Sequence, residues 1–408
     1  MKTLNVTLKQ HTPIIHFQYD QSGATLRASE FKPRFDKYLT QTIERGNYNY
    51  WKEYLVGSVD GAYIDETAGT STQKNLNARN AKLMNKFEKE GFCALDYKLK
   101  IVTPGSTSQE MESLPMYFAN QGNVEYKYDV YSQKDIILVF SSFHDELLKL
   151  IEGHINDFLA RTNFGSRQTK GYGSFYRKGE EPEKANYHFI VKTSDLTTLF
   201  KSISDFYAVI RSGINDGLYI KSALFKYLKE HNRQWDKRSI KGFFYQKSEI
   251  KAEQTDHPEA DSQLVEVNSG SRIMYKELLG LSTSELWLKK GATLTRENNE
   301  IQRFKSPILF KPIHVEEGDK SYYKVFIYLT PIPQGIRGKA FEIKWSRSLA
   351  TESETMYMSD FFQIENYFKW IFDNKSNLVT ISNPSSLSKS QKSRYDTLNR
   401  LFNTLTKG

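Results

Sequence analysis

The chain has 408 residues, 38% of them hydrophobic and 14% aromatic, which is enough apolar surface for roughly two or three folded domains and excludes a wholly disordered protein. Its single cysteine, Cys93, excludes a disulfide framework and argues against a cysteine-based zinc site. The net charge of +9 permits a polyanionic partner without requiring one. No apolar run is long enough to cross a bilayer, and the opening residues lack the apolar block of a signal peptide, so we expect a cytoplasmic protein with no membrane contact.

The first half of the chain predicts strands and helices in alternation, from apolar periodicities of two and of about 3.6 residues. The predicted elements are, in chain order, a strand over residues 1–17, a helix through Phe31–Ile43, a polar insertion over 46–92 with a helix at Asn77–Lys89, a strand at Cys93–Val102, a hairpin at Val124–Phe140, a helix at His144–Leu159 and a strand at Tyr187–Lys192. This order fits a ferredoxin-like α+β unit with its helices on one face of the sheet.

The second half of the chain predicts a similar but weaker succession of helices and strands. Its predicted elements are helices at Leu199–Ile210 and Tyr219–His231, a polar loop over 246–271, strands at Ile308–Phe310 and Val325–Leu329, and helices at Phe361–Phe372 and Gln391–Leu405. We place the domain boundary between residues 195 and 196, which gives an N-terminal domain of residues 1–195 and a C-terminal domain of residues 196–408.

A glycine-rich basic loop at Arg161–Lys178 is the most informative segment, with five basic residues and no acid. Its glycines allow sharp turns that present backbone N–H groups to a phosphate, and Arg167 and Lys170 could neutralise a nucleic-acid backbone. The candidate RNA-binding residues of this loop are Gly165, Ser166, Arg167, Gln168, Thr169, Lys170, Gly171, Tyr172 and Gly173.

The aromatic residues of the same loop leave two alternatives open. Phe164, Tyr172, Phe175 and Tyr176 could stack on unpaired bases, or they could pack in the protein core. The glycine spacing is not a dinucleotide-binding fingerprint, because a helix and not a strand precedes it, and no Gly-Lys-Ser or Gly-Lys-Thr follows as in a Walker A loop. We expect no cofactor, and no metal site, because no cluster of potential metal ligands emerges.

Two further basic segments are candidates. The first is a predicted helix start with Arg27, Ser29, Lys32 and Arg34, where a helix N-terminus could bind an anion; the alternative is a surface helix capped by Ser29. The second is the stretch over residues 219–241, where seven cations stand against two acids. Its candidate RNA-binding residues are Lys221, Lys237 and Arg238, and the alternative is a solvated helix face.

Together these segments resemble the RAMP superfamily of CRISPR proteins, most closely the first subunit of the type III-B (Cmr) effector complex. The similarity lies in Thr12-Pro13, in the helix start Leu26–Lys32, in the loop Phe164–Ser174 and, more weakly, in Arg303–Pro312. The second glycine that usually precedes the Ser-Arg pair is missing, and the insertions over 46–92 and 246–271 have no counterpart that we can name.

This resemblance implies two ferredoxin-like, RRM-like units with a glycine-rich loop and large loop insertions. It implies a non-catalytic subunit that holds guide or target RNA beside other RAMP subunits in antiviral defence. Two alternatives stay open at this point. RAMP endoribonucleases use an aspartate in the loop after the first strand or a histidine as acid or base, and Asp20 and His16 are the corresponding candidates here. The chain could also be a scaffold whose basic loops bind protein.

The resemblance also predicts a spatial arrangement. In a ferredoxin-like unit, the helix after the first strand and the loop after the second helix can approach one edge of the sheet. We therefore expect Arg27, Ser29 and Lys32 to lie near Gly165–Arg167, so that one phosphate could contact both segments.

Overall fold

The structure is a computed structural model, which describes residues 1–15, 26–58, 70–103, 134–215, 218–247, 272–287, 292–347, 350–381 and 387–408. The chain forms two compact units. The first contains the described residues up to Gln168 together with Tyr172–Glu183, and the second contains Thr169–Gly171 and the described residues from Lys184 onward. The domain boundary between residues 195 and 196 stays a prediction.

The first unit combines one antiparallel sheet with helices. Its elements are β1 (Lys2–Gln10), α1 (Ala28–Thr42), α2 (Tyr48–Trp51), α3 (Thr70–Glu90), β2 (Lys98–Val102), β3 (Ile136–Ser142), α4 (Asp145–Ala160) and β4 (Phe175–Arg177). The strands lie in the order β2-β3-β1-β4, and every neighbouring pair is antiparallel. The strand alternation explains the core, because Leu138 and Phe140 of β3 are both fully buried. Phe140 meets Phe31 and Phe35 of α1 at ring-centroid distances of 6.3 and 6.2 Å.

The second unit contains the remaining elements. They are β5 (Tyr187–Val191), α5 (Leu196–Arg211), β6 (Ile214–Asn215), β7 (Tyr219–Ile220), α6 (Ala223–Glu230), α7 (Asp236–Lys247), β8 (Ile273–Met274), β9 (Ser284–Trp287), β10 (Ala292–Glu297), β11 (Ile308–Glu317), β12 (Lys320–Leu329), β13 (Ala340–Arg347), β14 (Ala350–Met358), α8 (Ile364–Asp373), α9 (Lys389–Asn403) and β15 (Thr406–Lys407).

Three sheets organise these elements. A four-stranded antiparallel sheet has the order β11-β12-β5-β15, and β6 and β7 form a two-stranded ribbon. A five-stranded sheet has the order β8-β14-β13-β10-β9, with β8 parallel to β14 and the other pairs antiparallel. The five-stranded sheet draws on two separate stretches of the chain, since β8–β10 precede β11 and β13–β14 follow β12.

An aromatic core joins the four-stranded sheet to its helices. Phe206 of α5 stacks on Phe189 of β5 and on Phe402 of α9, with ring centroids 4.6 Å apart in both pairs. Arg394 of α9 forms two hydrogen bonds to the carboxylate of Asp205, at 2.9 and 2.6 Å. The C-terminal helix is therefore fixed to α5 by both apolar packing and a bidentate ion pair.

A network of buried charges supports the five-stranded sheet. Asp236 at the start of α7 accepts backbone hydrogen bonds from Tyr275 and Lys276 at 3.1 and 2.8 Å. Glu277 pairs with Arg296 at 2.8 Å. Asp236, Lys276, Glu277 and Arg296 are each at most 3% exposed. Burial and the neighbouring Glu277 raise the pKa of Asp236 to about 7, which favours a protonated Asp236 beside an ionised Glu277.

Most long predicted elements are confirmed, with shifted ends. The helices predicted at His144–Leu159 and Leu199–Ile210 correspond to α4 and α5, but the helix predicted from Tyr219 was wrong at its start. Tyr219 lies in β7, and the Ser222 side chain caps α6 by accepting a hydrogen bond from the Phe225 N–H at 3.1 Å. Residues 124–133 of the predicted hairpin and 248–271 of the predicted loop lie outside the described residues.

Candidate nucleic-acid interface

The glycine-rich loop is fixed to the segment that follows β1. The Ser166 N–H donates to the Ile15 carbonyl at 2.8 Å, and the Gly173 N–H donates to the Pro13 carbonyl at 2.7 Å. The Ser174 N–H donates to the Thr12 hydroxyl at 2.9 Å. The Thr12-Pro13 pair, which lies far earlier in the chain, thus holds the loop through the Pro13 carbonyl and the Thr12 hydroxyl.

Two glycines of the loop are required by these close contacts. Gly173 has a φ of +66°, and a Cβ there would lie 1.9 Å from the Phe164 carbonyl oxygen. Gly165 has a φ of +75°, and its Cβ would lie 2.6 Å from the Ile15 carbonyl oxygen. Since the clashing atoms are backbone, no side chain can move aside. These glycines allow the loop to pack tightly against its own unit.

The start of α1 lies directly against this loop, but the contacts are made by Glu30 and Arg34 and not by the predicted Arg27, Ser29 and Lys32. The Gly165 N–H donates to a Glu30 carboxylate oxygen at 2.8 Å. The Arg34 guanidinium donates to the Asn163 carbonyl and to the Gln168 side-chain oxygen, both at 3.0 Å. The two segments are far apart in sequence, so their contact follows from the tertiary fold.

Arg34 has a structural role in this arrangement. Burial lowers the pKa of its guanidinium, and the neighbouring Glu30 carboxylate partly offsets that effect. The guanidinium also lies 5.0 Å from the centre of the Phe164 ring. Two of its hydrogen bonds are directed at the loop, so the half-buried Arg34 joins helix and loop.

Lys32 is likewise engaged within the protein. Its ammonium donates to Asp36 and to the Leu95 carbonyl, both at 2.8 Å, and lies 3.9 Å from the centre of the Tyr97 ring. Asp36 is 1% exposed, and burial raises the pKa of its carboxyl. Lys32 therefore neutralises a buried carboxylate and fixes α1 to the segment before β2.

The aromatic residues of the loop belong to the core. Phe164, Tyr172, Phe175 and Tyr176 are at most 2% exposed. Phe164 stacks on Phe31 of α1 with ring centroids 5.4 Å apart. The prediction that these rings stack on bases, which included Tyr172 as an RNA-binding residue, is wrong because no ring face is available to a base.

The two central cations of the loop also point inward. Arg167 has a φ of +55°, and both terminal nitrogens of its guanidinium are buried. The Lys170 ammonium is buried and lies 2.8 Å from the centre of the Tyr207 ring in α5. Burial, and next the nearby Arg211, lower the pKa of Lys170 well below its ordinary value.

Comparison with known proteins gives a consistent assignment. A family model described as the Cmr1 N-terminal domain matches residues 1–214, and one described as the Cmr1 C-terminal domain matches residues 219–393. The chain belongs to the Cmr1 family. This match confirms the resemblance to the first subunit of the type III-B complex, and it supports a place for the chain as a RAMP subunit of a type III CRISPR effector.

Three further findings accompany the Cmr1 match. The crystal structure of Cmr1 from Pyrococcus furiosus in its apo form is 12% identical, covers 83% of this chain and 92% of that chain, and gives a TM-score of 0.29. No curated protein matches the chain. Within the described residues, no helix has both the length and the apolar character needed to cross a membrane.

At the Cmr1-like helix start, the structure leaves a small polar surface. Arg27 is the N-cap of α1, and its side chain makes no capping hydrogen bond among the described residues. Ser29, which the capped-helix alternative placed at the N-cap, lies inside the first turn and is exposed; that alternative is wrong in this detail. Arg27 and Ser29 are thus the candidates of this Cmr1 segment that border solvent.

The three candidates of the second basic segment also differ in how far they are exposed to solvent. Lys221 is exposed, with its ammonium 5.7 Å from the centre of the Phe225 ring. Lys237 lies beside the buried charge network, where burial and next Lys276 lower its pKa to about 8. Arg238 is half-buried. The nuclease candidates Asp20 and His16 lie outside the described residues.

Replacing Lys32 with Ala should mainly lower the stability of the folded chain. Its effect on RNA binding should be smaller. We expect a loss of about 2–3 kcal/mol in the free energy of unfolding, because Asp36 would stay buried without its ion pair. Urea denaturation measures this value, and Lys37→Ala, an exposed change on the same helix, is the control with little expected effect. Equal stability of the two variants would contradict the structural role of Lys32.

Proposed function

We propose that the chain is a non-catalytic RNA-binding subunit of a type III CRISPR effector, which contacts guide or target RNA in antiviral defence. One observation carries the proposal: the helix start and the glycine-rich loop, the two segments that carry the RAMP resemblance, are joined in the first unit by the Glu30–Gly165 and Arg34–Gln168 hydrogen bonds. The family match supports the effector assignment, and the net charge of +9 is compatible with a polyanionic ligand.

The geometry assigns different roles to the two segments. The Gly165 and Ser166 N–H groups already donate to Glu30 and Ile15, so the loop acts mainly as a support in the first unit. The N-terminal end of α1 carries a partial positive charge and adjoins Arg27 and exposed Ser29. We propose that one RNA phosphate binds at this end of α1, with Arg27 adding a charge-assisted hydrogen bond.

The proposal extends to fold and partners. The strand orders β2-β3-β1-β4 and β11-β12-β5-β15 are the same when each set is read in chain order, and helices connect corresponding strands. This supports two ferredoxin-like units, with the five-stranded sheet as an addition to the second. We propose other RAMP subunits as protein partners and the cytoplasm as the location.

Single-stranded RNA titrations test the proposed function. Arg27→Ala should weaken binding to all sequences alike and reduce the slope of log K against log salt by about 0.7, the value for one lost phosphate contact. Lys37→Ala on the exposed face of α1 is the matched control for charge. An unchanged affinity and slope in Arg27→Ala, or no RNA binding by the unmodified chain, would contradict the proposal.

The non-catalytic assignment makes a separate prediction. The purified chain should leave guide and target RNA intact, with or without Mg²⁺, over hours in a gel assay. Reproducible cleavage that is lost in Asp20→Ala, while folding is retained, would instead support a RAMP endoribonuclease. Metal-independent cleavage that is lost in His16→Ala would indicate acid–base chemistry.

A further inference from the structure

Two cations of the second unit carry buried polar atoms for which the described part of the chain offers no hydrogen-bond acceptor. Among the residues that the structure describes, neither the Lys170 Nζ nor the Arg211 Nε has a hydrogen-bond partner, and both atoms are shielded from solvent. Buried donors nearly always have partners in folded proteins, and charged donors are the most costly to leave without one. Two such donors on neighbouring side chains therefore indicate a binding site for a ligand.

The surroundings hold both side chains in position. Tyr207 and Arg211 are one turn apart on α5, and the Lys170 ammonium rests on the Tyr207 ring. The Tyr207 hydroxyl donates to the Leu279 carbonyl at 2.6 Å, and Arg211 donates through Nη2 to the Gly280 carbonyl at 2.8 Å. Arg211 is thus anchored at one end of its guanidinium while its Nε has no acceptor among the described residues.

The backbone that carries Lys170 is fixed as well. A Cβ on Gly171, whose φ is +90°, would lie 2.9 Å from Pro312 Cγ and 3.2 Å from Ile203 Cδ1. The tip of the glycine-rich loop therefore packs closely on α5 and β11. The backbone next to Lys170 therefore cannot shift without disturbing this contact.

The arrangement is unfavourable without an anion. Arg211 is a positive charge near Lys170, and it acts in the same direction as burial in disfavouring the charged ammonium. Like charges in a poorly solvated site repel strongly. A bound anion would accept hydrogen bonds from both donors and offset the repulsion.

The segment Arg303–Pro312, which takes no part in the proposed α1 site, lies next to Gly280 and Tyr207. A Cβ on Gly280 would lie 3.4 Å from the Tyr207 hydroxyl and 3.5 Å from Ser306 Cβ. Ser306 belongs to Arg303–Pro312, the third stretch of RAMP resemblance, whose Arg303 and Lys305 are exposed.

We propose that Lys170 and Arg211 form a binding site for one phosphate group, supplied by the RNA backbone. The inference rests on the proposed function, to which it adds a second phosphate contact, within the second unit and independent of the α1 terminus. A tetrahedral phosphate offers enough oxygens for an ammonium and a guanidinium at once, and both hydrogen bonds would be charge-assisted.

The first arm of the test uses inorganic phosphate. Thermal unfolding is measured in phosphate and in chloride at equal ionic strength for the full chain and for Lys170→Met, Arg211→Met and Lys226→Met. Lys226 is the matched control, since its ammonium already donates to the Asn377 and Leu378 carbonyls and to the Thr380 hydroxyl. Phosphate should raise the Tm of the unmodified chain and of Lys226→Met by clearly more than it raises the Tm of Lys170→Met and Arg211→Met, which keep only the proposed α1 site.

The second arm uses single-stranded RNA. Lys170→Met should weaken binding about tenfold and reduce the salt slope by about 0.7, and adding Arg211→Met should cost less than the sum of the single effects. In chloride alone the Tm of Lys170→Met should be no lower than that of the unmodified chain, because the substitution removes a repelled buried charge. That result would show that the variant folds.

The outcomes separate this inference from the proposed function. If the unmodified chain binds RNA and Lys170→Met binds it equally well with the same slope, the phosphate site is wrong while the RNA-binding function stands. If phosphate stabilises the chain through Lys170 but RNA does not bind, RNA as the source of the phosphate is overturned together with the proposed function. A phosphate effect of undiminished size in both Lys170→Met and Arg211→Met would show that phosphate binds elsewhere, which also overturns the site.

Discussion

Asp236→Asn should make the chain more stable than the unmodified protein at pH 8, and this advantage should shrink as the pH falls to 5. The folded pKa of Asp236, about 7, lies above its ordinary value of 3.8. Between these values the folded chain binds more protons than the unfolded chain, so stability falls as the pH rises through this window. Integrating that difference from pH 5 to pH 8 gives the neutral Asp236→Asn variant a relative gain of about 2–3 kcal/mol.

Urea denaturation at pH 5 and pH 8 measures this effect. Asp195→Asn is the control, because Asp195 caps α5 and its hydrogen bond with Thr198 lowers its pKa, so its titration lies below pH 5. A stability difference between Asp236→Asn and the unmodified chain that is the same at both pH values would show that Asp236 does not hold a proton beside Glu277.

Gly173→Ala should be the most damaging single-methyl change in the first unit. The added Cβ would lie 1.9 Å from the Phe164 carbonyl oxygen, and the φ of +66° disfavours an alanine even without the clash. Relieving the clash requires separating the two arms of the loop, where the Phe164 N–H donates to the Gly173 carbonyl at 2.9 Å. We expect a loss of about 4 kcal/mol or more.

Gly179 provides the matched control for this change. Its φ of +77° is similar, but a Cβ there would meet no atom within 4 Å. Gly179→Ala should therefore lose only about 1–2 kcal/mol, the ordinary cost of a left-handed alanine. Equal losses for the two variants in chemical denaturation would contradict the close packing of the glycine-rich loop.

The sequence predicted secondary structure best where a regular apolar pattern runs through one continuous stretch of the chain. Helix α4 and strand β3 follow from their patterns, since Ile151 and Ile155 of α4 and Ile136, Leu138 and Phe140 of β3 are buried positions. The contact between α1 and the glycine-rich loop came from family resemblance, because no local preference brings Glu30 to Gly165.

The five-stranded sheet shows what local patterns miss. Strand β14 reads Ala-Thr-Glu-Ser-Glu-Thr-Met-Tyr-Met, which is mostly polar and carries little alternation. Its partner β8 has only two residues and pairs with it in parallel from far earlier in the chain. The nearby core contains Lys276, Glu277 and Arg296, and buried charges of this kind read as surface in a sequence.

Burial also explains why fewer residues remain candidates for RNA contact than the sequence predicted. Lys32 and Arg34 look like ligand-binding cations in sequence, yet each contacts groups inside the protein. The acceptor Glu30 and the cation Arg211 were not among the predicted site residues. For Glu30 the signal was present, since a carboxylate stands inside the basic helix start; for Arg211 only the fold brings it to Lys170.

The central claim is that RNA binds at the α1 terminus, which the glycine-rich loop supports, and photochemical crosslinking tests it most directly. Single-stranded RNA carrying 4-thiouridine is crosslinked to the full chain, and the modified peptides are identified by mass spectrometry. We predict crosslinks in Leu26–Lys37 and in Arg161–Lys178. Crosslinks confined to the exposed basic face of α9, at Lys389, Lys392 and Arg400, with none in those two segments, would contradict the account.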